Sequence, residues 1–156
     1  MDSIDRNILV ALQQDSSTVL AELAKVAGLS VSATSERMKR LEERGAIRSW
    51  RADLDPVAVG CPLLAWVFAG LRAEDAGQAF RDAVRPLEPV LECHAVSGPW
   101  SYMLKLRCAG LAEFEAFVAE HIRPLPGVDR IETVIALATA KETAMLPVAP
   151  ADDDED

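Results

Sequence analysis

The run of apolar segments between residues 63 and 138 constrains the fold of this chain more than any other feature. Leu63–Leu71 reads as a strand. Ala76, Phe80, Ala83, Val84 and Leu87 then mark one face of a helix. Residues 90–97 read as a second strand, 98–101 as a turn and Tyr102–Cys108 as a third strand. Leu111, Phe114, Val118, Ile122 and Leu125 mark a second helix, Pro126-Gly127 turns the chain, and 128–138 is the last strand. The order βαββαβ predicts a ferredoxin-like split unit, a four-stranded antiparallel sheet with both helices on one face.

That layout leaves the other face of the sheet uncovered, yet the first strand is apolar on both sides. Leu63, Ala65, Val67 and Ala69 point one way; Leu64, Trp66 and Phe68 point the other. A strand with one wet face alternates with polar residues. A second copy of the sheet is therefore expected on the open face, which predicts a homodimer. In the central hairpin, pairing Ser97 with Tyr102 sets Cys93 against Leu106, Ala95 against Leu104, His94 against Lys105, and Glu92 in a cross-strand ion pair with Arg107.

The first fifty residues have a different period. Ile4, Ile8 and Leu12 fall at helical spacing behind a cap at Asp2 or Ser3. Thr18 is placed to cap a second helix over 19–27, with Leu20, Leu23, Ala24 and Ala27 on one face. Gly28-Leu29 makes a tight turn, because glycine accepts the positive φ that ends a helix. Ser30 caps a third helix that packs Ala33, Thr34, Met38 and Leu41 inward, and Gly45 closes it. Helix, short glycine turn and helix is the helix-turn-helix pattern, here at about residues 20–39. Residues 46–53 alternate like a linker strand, and 54–60 form a helical turn stopped at Gly60. The domains expected are therefore 1–47, a linker at 48–60, a second domain at 61–147 and a tail at 148–156.

Charge separates the same halves. The net charge is −9, but residues 1–51 hold 8 Lys/Arg against 7 Asp/Glu and residues 52–156 hold 8 against 18. Within 30–51 six basic residues face three acidic ones. A basic element on an acidic body suits a protein that touches DNA phosphates through one element only. On the third helix the outward residues Ser32, Ser35, Glu36, Lys39, Arg40 and Glu43 are polar, and small at the N-terminal end. Small groups let a helix sit deep in a major groove, and Lys39 and Arg40 are long enough to reach the backbone. Glu36 either accepts from a cytosine amino group or pairs with Arg40 one turn on. Arg48 and Arg51 either touch phosphate as a rudimentary wing or are solvated.

No segment approaches the roughly 20 apolar residues that span a bilayer; the longest, 61–71, has 11 and contains Pro62. Met1 is followed by Asp2 and Asp5, unlike a basic, apolar leader, so a soluble cytoplasmic protein without a membrane partner is expected. Cys61, Cys93 and Cys108 are odd in number and form no CxxC, which predicts buried free thiols and neither a disulfide frame nor a metal site. Asp152, Asp153, Asp154, Glu155 and Asp156 follow Pro147 and Pro150 and are expected to be a disordered acidic tail.

Several short patterns in this order resemble the Lrp/AsnC family, the feast/famine regulators, from Ser3 to about Pro147. They are Met1-Asp2-Ser3-Ile4-Asp5-Arg6-Asn7-Ile8-Leu9, Leu23-Ala24-Lys25, Gly28-Leu29-Ser30, Arg37-Met38-Lys39-Arg40-Leu41-Glu42 and Gly45-Ala46-Ile47. The second half adds Leu54-Asp55-Pro56 with Gly60, Val96-Ser97-Gly98, Tyr102-Met103-Leu104-Lys105-Leu106, Leu125-Pro126-Gly127-Val128, Thr133 and Lys141-Glu142. The resemblance implies a winged-type helix-turn-helix domain joined to a ligand-sensing RAM domain. It also implies dimers that assemble into tetramers or octamers, near-palindromic promoter sites on double-stranded DNA, and an amino acid or analogue as effector. The DNA-binding residues implied are Thr18, Ser30, Ser32, Ser35, Glu36, Lys39, Arg40, Arg48 and Arg51. The effector-binding residues implied are Gly98, Pro99, Trp100, Ser101, Tyr102 and Thr133.

The loop departs from the family. Where Gly-Asp-x-Asp-Tyr is common, this chain has Gly98-Pro99-Trp100-Ser101-Tyr102, without either carboxylate. An effector ammonium would lose a charged hydrogen bond worth about 1.5–3 kcal/mol. Trp100 would offer a cation–π face or an apolar wall in its place, or pack at an oligomer contact. An altered effector, aromatic or larger, or none, is expected. Siroheme decarboxylases resemble this architecture and supply an enzymatic alternative. They carry His, Tyr and Arg groups along the second strand and its hairpin, where the stretch Glu92-Cys93-His94-Ala95-Val96 offers only His94; His121 belongs on a helix surface. No catalytic residue, metal or cofactor is expected.

Overall fold

A computed structural model describes residues 1–72 and 76–148; the expected acidic tail lies outside the described residues beyond Val148. The described residues divide into two compact units, 1–52 with 141–148, and Asp53–Ala140. Residues 141–147, expected in the second domain, thus group with the first. Gln13 ties them there: its Nε2 donates to the Leu146 carbonyl at 3.2 Å, and the Leu146 N–H donates to its Oε1 at 2.6 Å.

The first unit holds three helices, α1 (Ser3–Gln14), α2 (Leu20–Ala27) and α3 (Val31–Glu43). Asp2 caps α1 by accepting from the Asp5 N–H at 2.8 Å. Thr18 does not cap α2. Its hydroxyl turns back to donate to the Asp15 carbonyl at 2.7 Å, and Val19 takes the cap position without a side-chain bond. Gly28 adopts φ 65°, ψ 30°, and the Leu29 N–H bonds back to the Ala24 carbonyl at 3.0 Å, so the chain reverses directly into α3. Ile8, Leu12, Leu23, Ala27 and Leu41 close a small core, with Ile4, Leu29, Met38 and Ile47 around it.

The second unit is a four-stranded sheet of β1 (Leu63–Leu71), β2 (Val90–Ala95), β3 (Tyr102–Cys108) and β4 (Val128–Ile135), in the order β2-β3-β1-β4. All pairs are antiparallel. Two helices, α4 (Gly77–Val84) and α5 (Leu111–Phe117), contribute Phe80, Val84 and Phe114 to a core with Ala65, Val67, Ala69, Leu104 and Leu106. This is the expected α+β layout. One local difference is that α5 widens into a π-type turn over Val118–Ile122, which still buries Val118 and Ile122.

Three further expectations need correction. Residues 46–53 carry no strand; alternation alone supplies no partner to hydrogen-bond with. The β2–β3 register lies two residues from the expected one: Ala95 faces Tyr102, Cys93 faces Leu104, His94 faces Met103 and Glu92 faces Lys105. A two-residue slip keeps every side chain on its own face, so the apolar pattern does not resist it. The ion pair therefore forms between Glu92 and Lys105, at 3.3 Å, rather than with Arg107. Finally, Cys108 is buried, but Cys61 and Cys93 are only half-buried.

Candidate functional site

The exposed face of α3 is set by what its other face is tied to. Thr34 is fully buried and its hydroxyl donates to the Ser30 carbonyl at 3.0 Å. Leu41 enters the core one turn before the C-terminal Gly45, whose φ is 72°. Opposite to them, Ser30, Ser32, Ser35, Glu36, Lys39 and Arg40 are all exposed. The Ser30 Oγ accepts from the Ala33 N–H at 3.2 Å and lies 3.2 Å from the Ser32 Oγ. Glu36 pairs with Arg40 at 3.3 Å and Lys39 with Glu43 at 3.8 Å, both as exposed i,i+4 pairs. Such pairs contribute only about 0.3–0.5 kcal/mol and yield readily to a phosphate.

Three further candidates lie off this helix. Thr18 is half-buried in the α1–α2 connection. Arg48 and Arg51 are exposed on the unpaired segment after α3, which is fastened where the Trp50 indole N–H donates to Glu42 Oε1 at 3.1 Å. Arg37, one of the six basic residues of this segment, is not on that exposed face. It turns to α1, where Asp2 and Asp5 accept from its Nη1 at 2.6 and 2.7 Å. The Asp2 carboxyl is held below its usual range by the Asp5 backbone N–H and then by the Arg37 guanidinium. The signal for this clamp was an Asp-x-x-Asp at the start of α1, which periodicity does not use.

In the second unit the β2–β3 loop splits across the sheet. Tyr102 is buried, its ring centroid 4.6 Å from that of Phe80. Its hydroxyl accepts from Arg81 Nη1 at 2.5 Å and donates to the Gly77 carbonyl at 3.4 Å. Thr133 faces Val67 and therefore shares the helix-covered side. Trp100 goes the other way, towards Phe68, with ring centroids 6.3 Å apart. The loop backbone is fastened to β1: the Ser101 N–H donates to the Ala69 carbonyl at 2.9 Å and Ser101 Oγ accepts from the Leu71 N–H at 3.0 Å. Gly98, at φ 108°, makes the bend, with open space where a Cβ would sit. The structure thus joins Gly98, Pro99, Trp100 and Ser101 but leaves Tyr102 and Thr133 on the opposite face.

One residue here carries no signal in the sequence pattern. Arg130 of β4 crosses the strand at Gly70, its register partner, and lays its guanidinium carbon 4.4 Å from the Trp100 ring centroid. Its Nη2 donates to the Pro99 carbonyl. The face of Trp100 expected to be open to a ligand cation is occupied by a cation of the chain itself.

Burial pushes the Cys93 and Cys108 thiols up, away from the reactive thiolate. His94 bonds to Glu92 at 3.2 Å on an exposed strand, and His121 stacks on Phe117 with ring centroids 5.1 Å apart. Among the described residues no group of His, Cys, Asp and Glu is assembled to hold a metal ion, and no helix is long and apolar enough to cross a membrane.

A capped helix-turn-helix unit followed by an α+β sheet unit with a fastened loop defines a transcriptional regulator with a DNA-binding and a ligand-binding part. Residues 1–42 match the AsnC-type helix-turn-helix domain and residues 64–146 the Lrp/AsnC ligand binding domain. The chain is 37% identical to the leucine-responsive regulatory protein of Klebsiella pneumoniae over 95% of its own length and 92% of that protein's. A transcriptional regulator from Neisseria meningitidis, solved in complex with L-Met, superimposes with a TM-score of 0.88 at 31% identity, covering 94% of this chain and 96% of that one. An AsnC family transcriptional regulator from Agrobacterium tumefaciens gives 0.87 at 32% identity, covering 94% and 97%. The chain belongs to the Lrp/AsnC family of transcriptional regulators.

Proposed function

We propose that this regulator reads double-stranded DNA through the exposed face of α3. Ser30, Ser32, Ser35 and Glu36 approach base edges, while Lys39 and Arg40, with Thr18, Arg48 and Arg51 from flanking segments, meet phosphates. The observation that supports this most is the two-sidedness of α3: Thr34 and Leu41 are buried while six polar residues on the other side stand in solvent. The DNA-binding domain is residues 1–47 and the sensing domain 61–140, with 141–147 returning to the DNA-binding unit.

The protein acts in the cytoplasm as a homodimer, built further into a tetramer or octamer. Its open sheet face, with Trp66 and Phe68 half-buried and Val134 exposed, supports the pairing. Two heads on a two-fold axis require half-sites one helical turn or a multiple apart, about 10 base pairs per turn. The effector is a small molecule of the amino-acid class, received at the Gly98–Ser101 loop; the leucine of one relative's name and the L-Met of another's complex support that class. No catalytic activity is assigned.

Fluorescence anisotropy tests the reading. Full-length protein should bind a duplex from its own upstream region well above a scrambled duplex of equal length. Equal binding to both at every salt concentration would remove sequence-specific regulation from the account.

A further inference from the structure

Arg130 is held at three points. Its stem fills the space over Gly70, where a Cβ would stand 2.9 Å from Arg130 Cγ. Its guanidinium face rests on Trp100, and its Nη2 is engaged by the Pro99 carbonyl. No carboxylate pairs with it among the described residues. The unit around it is acidic, since residues 53–140 carry 12 Asp/Glu against 7 Lys/Arg. A guanidinium fastened at these points in such a setting has given up conformational freedom before any ligand arrives, and one stacked by its face still presents N–H donors along its edge.

We infer that Arg130 is the specificity-determining residue of the sensing loop, and that it reads the carboxylate of the effector. The inference rests on the reading of this loop as the effector site. The ligand class is an organic acid with an apolar body, the acid on the guanidinium edge and the body against Trp100 and Phe68. The loop itself supplies no acidic side chain for an ammonium. The competing group is Glu132, two residues along the same face and opposite Phe68, and an amine would seek it. The carboxylate, not the amino group, carries recognition.

Calorimetry on the full chain separates these. The probes are leucine and methionine, their 2-oxo acids, and 3-methylbutylamine, which keeps leucine's skeleton without the acid. At least one amino acid and its 2-oxo acid should bind within about tenfold of each other, and the amine should not bind. Arg130→Gln should weaken both acids about tenfold or more, the scale of one charged hydrogen bond. Arg130→Lys should recover part of that affinity. Gly70→Ala, which pushes the arginine stem aside, should act like Arg130→Gln. Circular dichroism confirms folding, and light scattering should give Arg130→Gln the wild-type mass.

The inference is overturned if the amine binds as well as the acids, if Arg130→Gln leaves binding unaltered, or if its only effect is a changed mass. If the acids bind, Arg130→Gln is silent and Trp100→Ala abolishes binding, the loop remains the effector site and Arg130 loses its role. If no probe binds, both readings fall together.

Discussion

Arg37 of α3 reaches back to α1 and donates from one nitrogen to Asp2 at 2.6 Å and to Asp5 at 2.7 Å. Asp2 also caps α1 through its other oxygen, so one residue starts the first helix and steers the third. Asp5 is 8% exposed, and removing its carboxylate leaves the guanidinium without its better-shielded partner. Asp5→Ala should destabilise the fold by about 1–2 kcal/mol, read by urea unfolding. The Asp2 carboxyl is depressed below its ordinary 3.8. Its contribution is therefore complete above that ordinary value and is lost as the pH falls through the depressed one. Thermal unfolding between pH 5 and pH 2 should show wild type losing stability more steeply than Asp2→Asn.

Ser32 and Ser35 are exposed at the N-terminal end of α3, where a recognition helix meets base edges. Ser32→Ala and Ser35→Ala should change which site is preferred and leave binding to random duplex within about twofold. Each altered base preference should be worth about 1–3 kcal/mol. Selection of bound sequences from a randomised pool reads this directly.

Tyr102 stands in the family's loop pattern but packs under α4 against Phe80, with its hydroxyl between Arg81 and Gly77. Tyr102→Phe should cost about 0.5–1.5 kcal/mol of stability for the missing hydrogen bonds. Effector affinity in calorimetry should stay within about threefold of wild type.

Trp66 and Phe68 lie on the sheet face opposite the helices, with Val134 across from Trp66 on β4. Trp66→Glu would place a charge in the middle of that apolar strip. It should shift the protein to monomer in gel filtration with light scattering, while circular dichroism keeps its helical and strand signals. An unchanged mass would contradict pairing through this face.

The legible parts of the sequence were those carried by period and punctuation. Ile8 and Leu12, Leu23 and Ala27, and Ala65, Val67 and Ala69 are buried as their spacing requires. Gly28 and Gly45 turn the chain at positive φ at the ends of their helices. Pairings that need the partner's position were not legible. Strand alternation sorts faces but not register, so the pattern matches Glu92 to Arg107 although Lys105 receives it. Arg130 was invisible for the same reason: only the alignment of β4 on β1 sets it over Gly70 and beside Trp100. Tyr102 and Trp100 are two residues apart in a loop motif, yet the bend at Gly98 and the Ser101 anchors send them to opposite faces.

DNA reading by α3 is tested most directly by the salt dependence of binding to the upstream duplex, for wild type and for a Lys39→Ala/Arg40→Ala double variant. Each neutralised phosphate adds about 0.9 to the slope of log affinity against log salt. The double variant should bind every duplex more weakly, with a slope shallower by about 0.9 for each phosphate it no longer neutralises. Unchanged affinity and slope in the double variant would contradict DNA reading by α3.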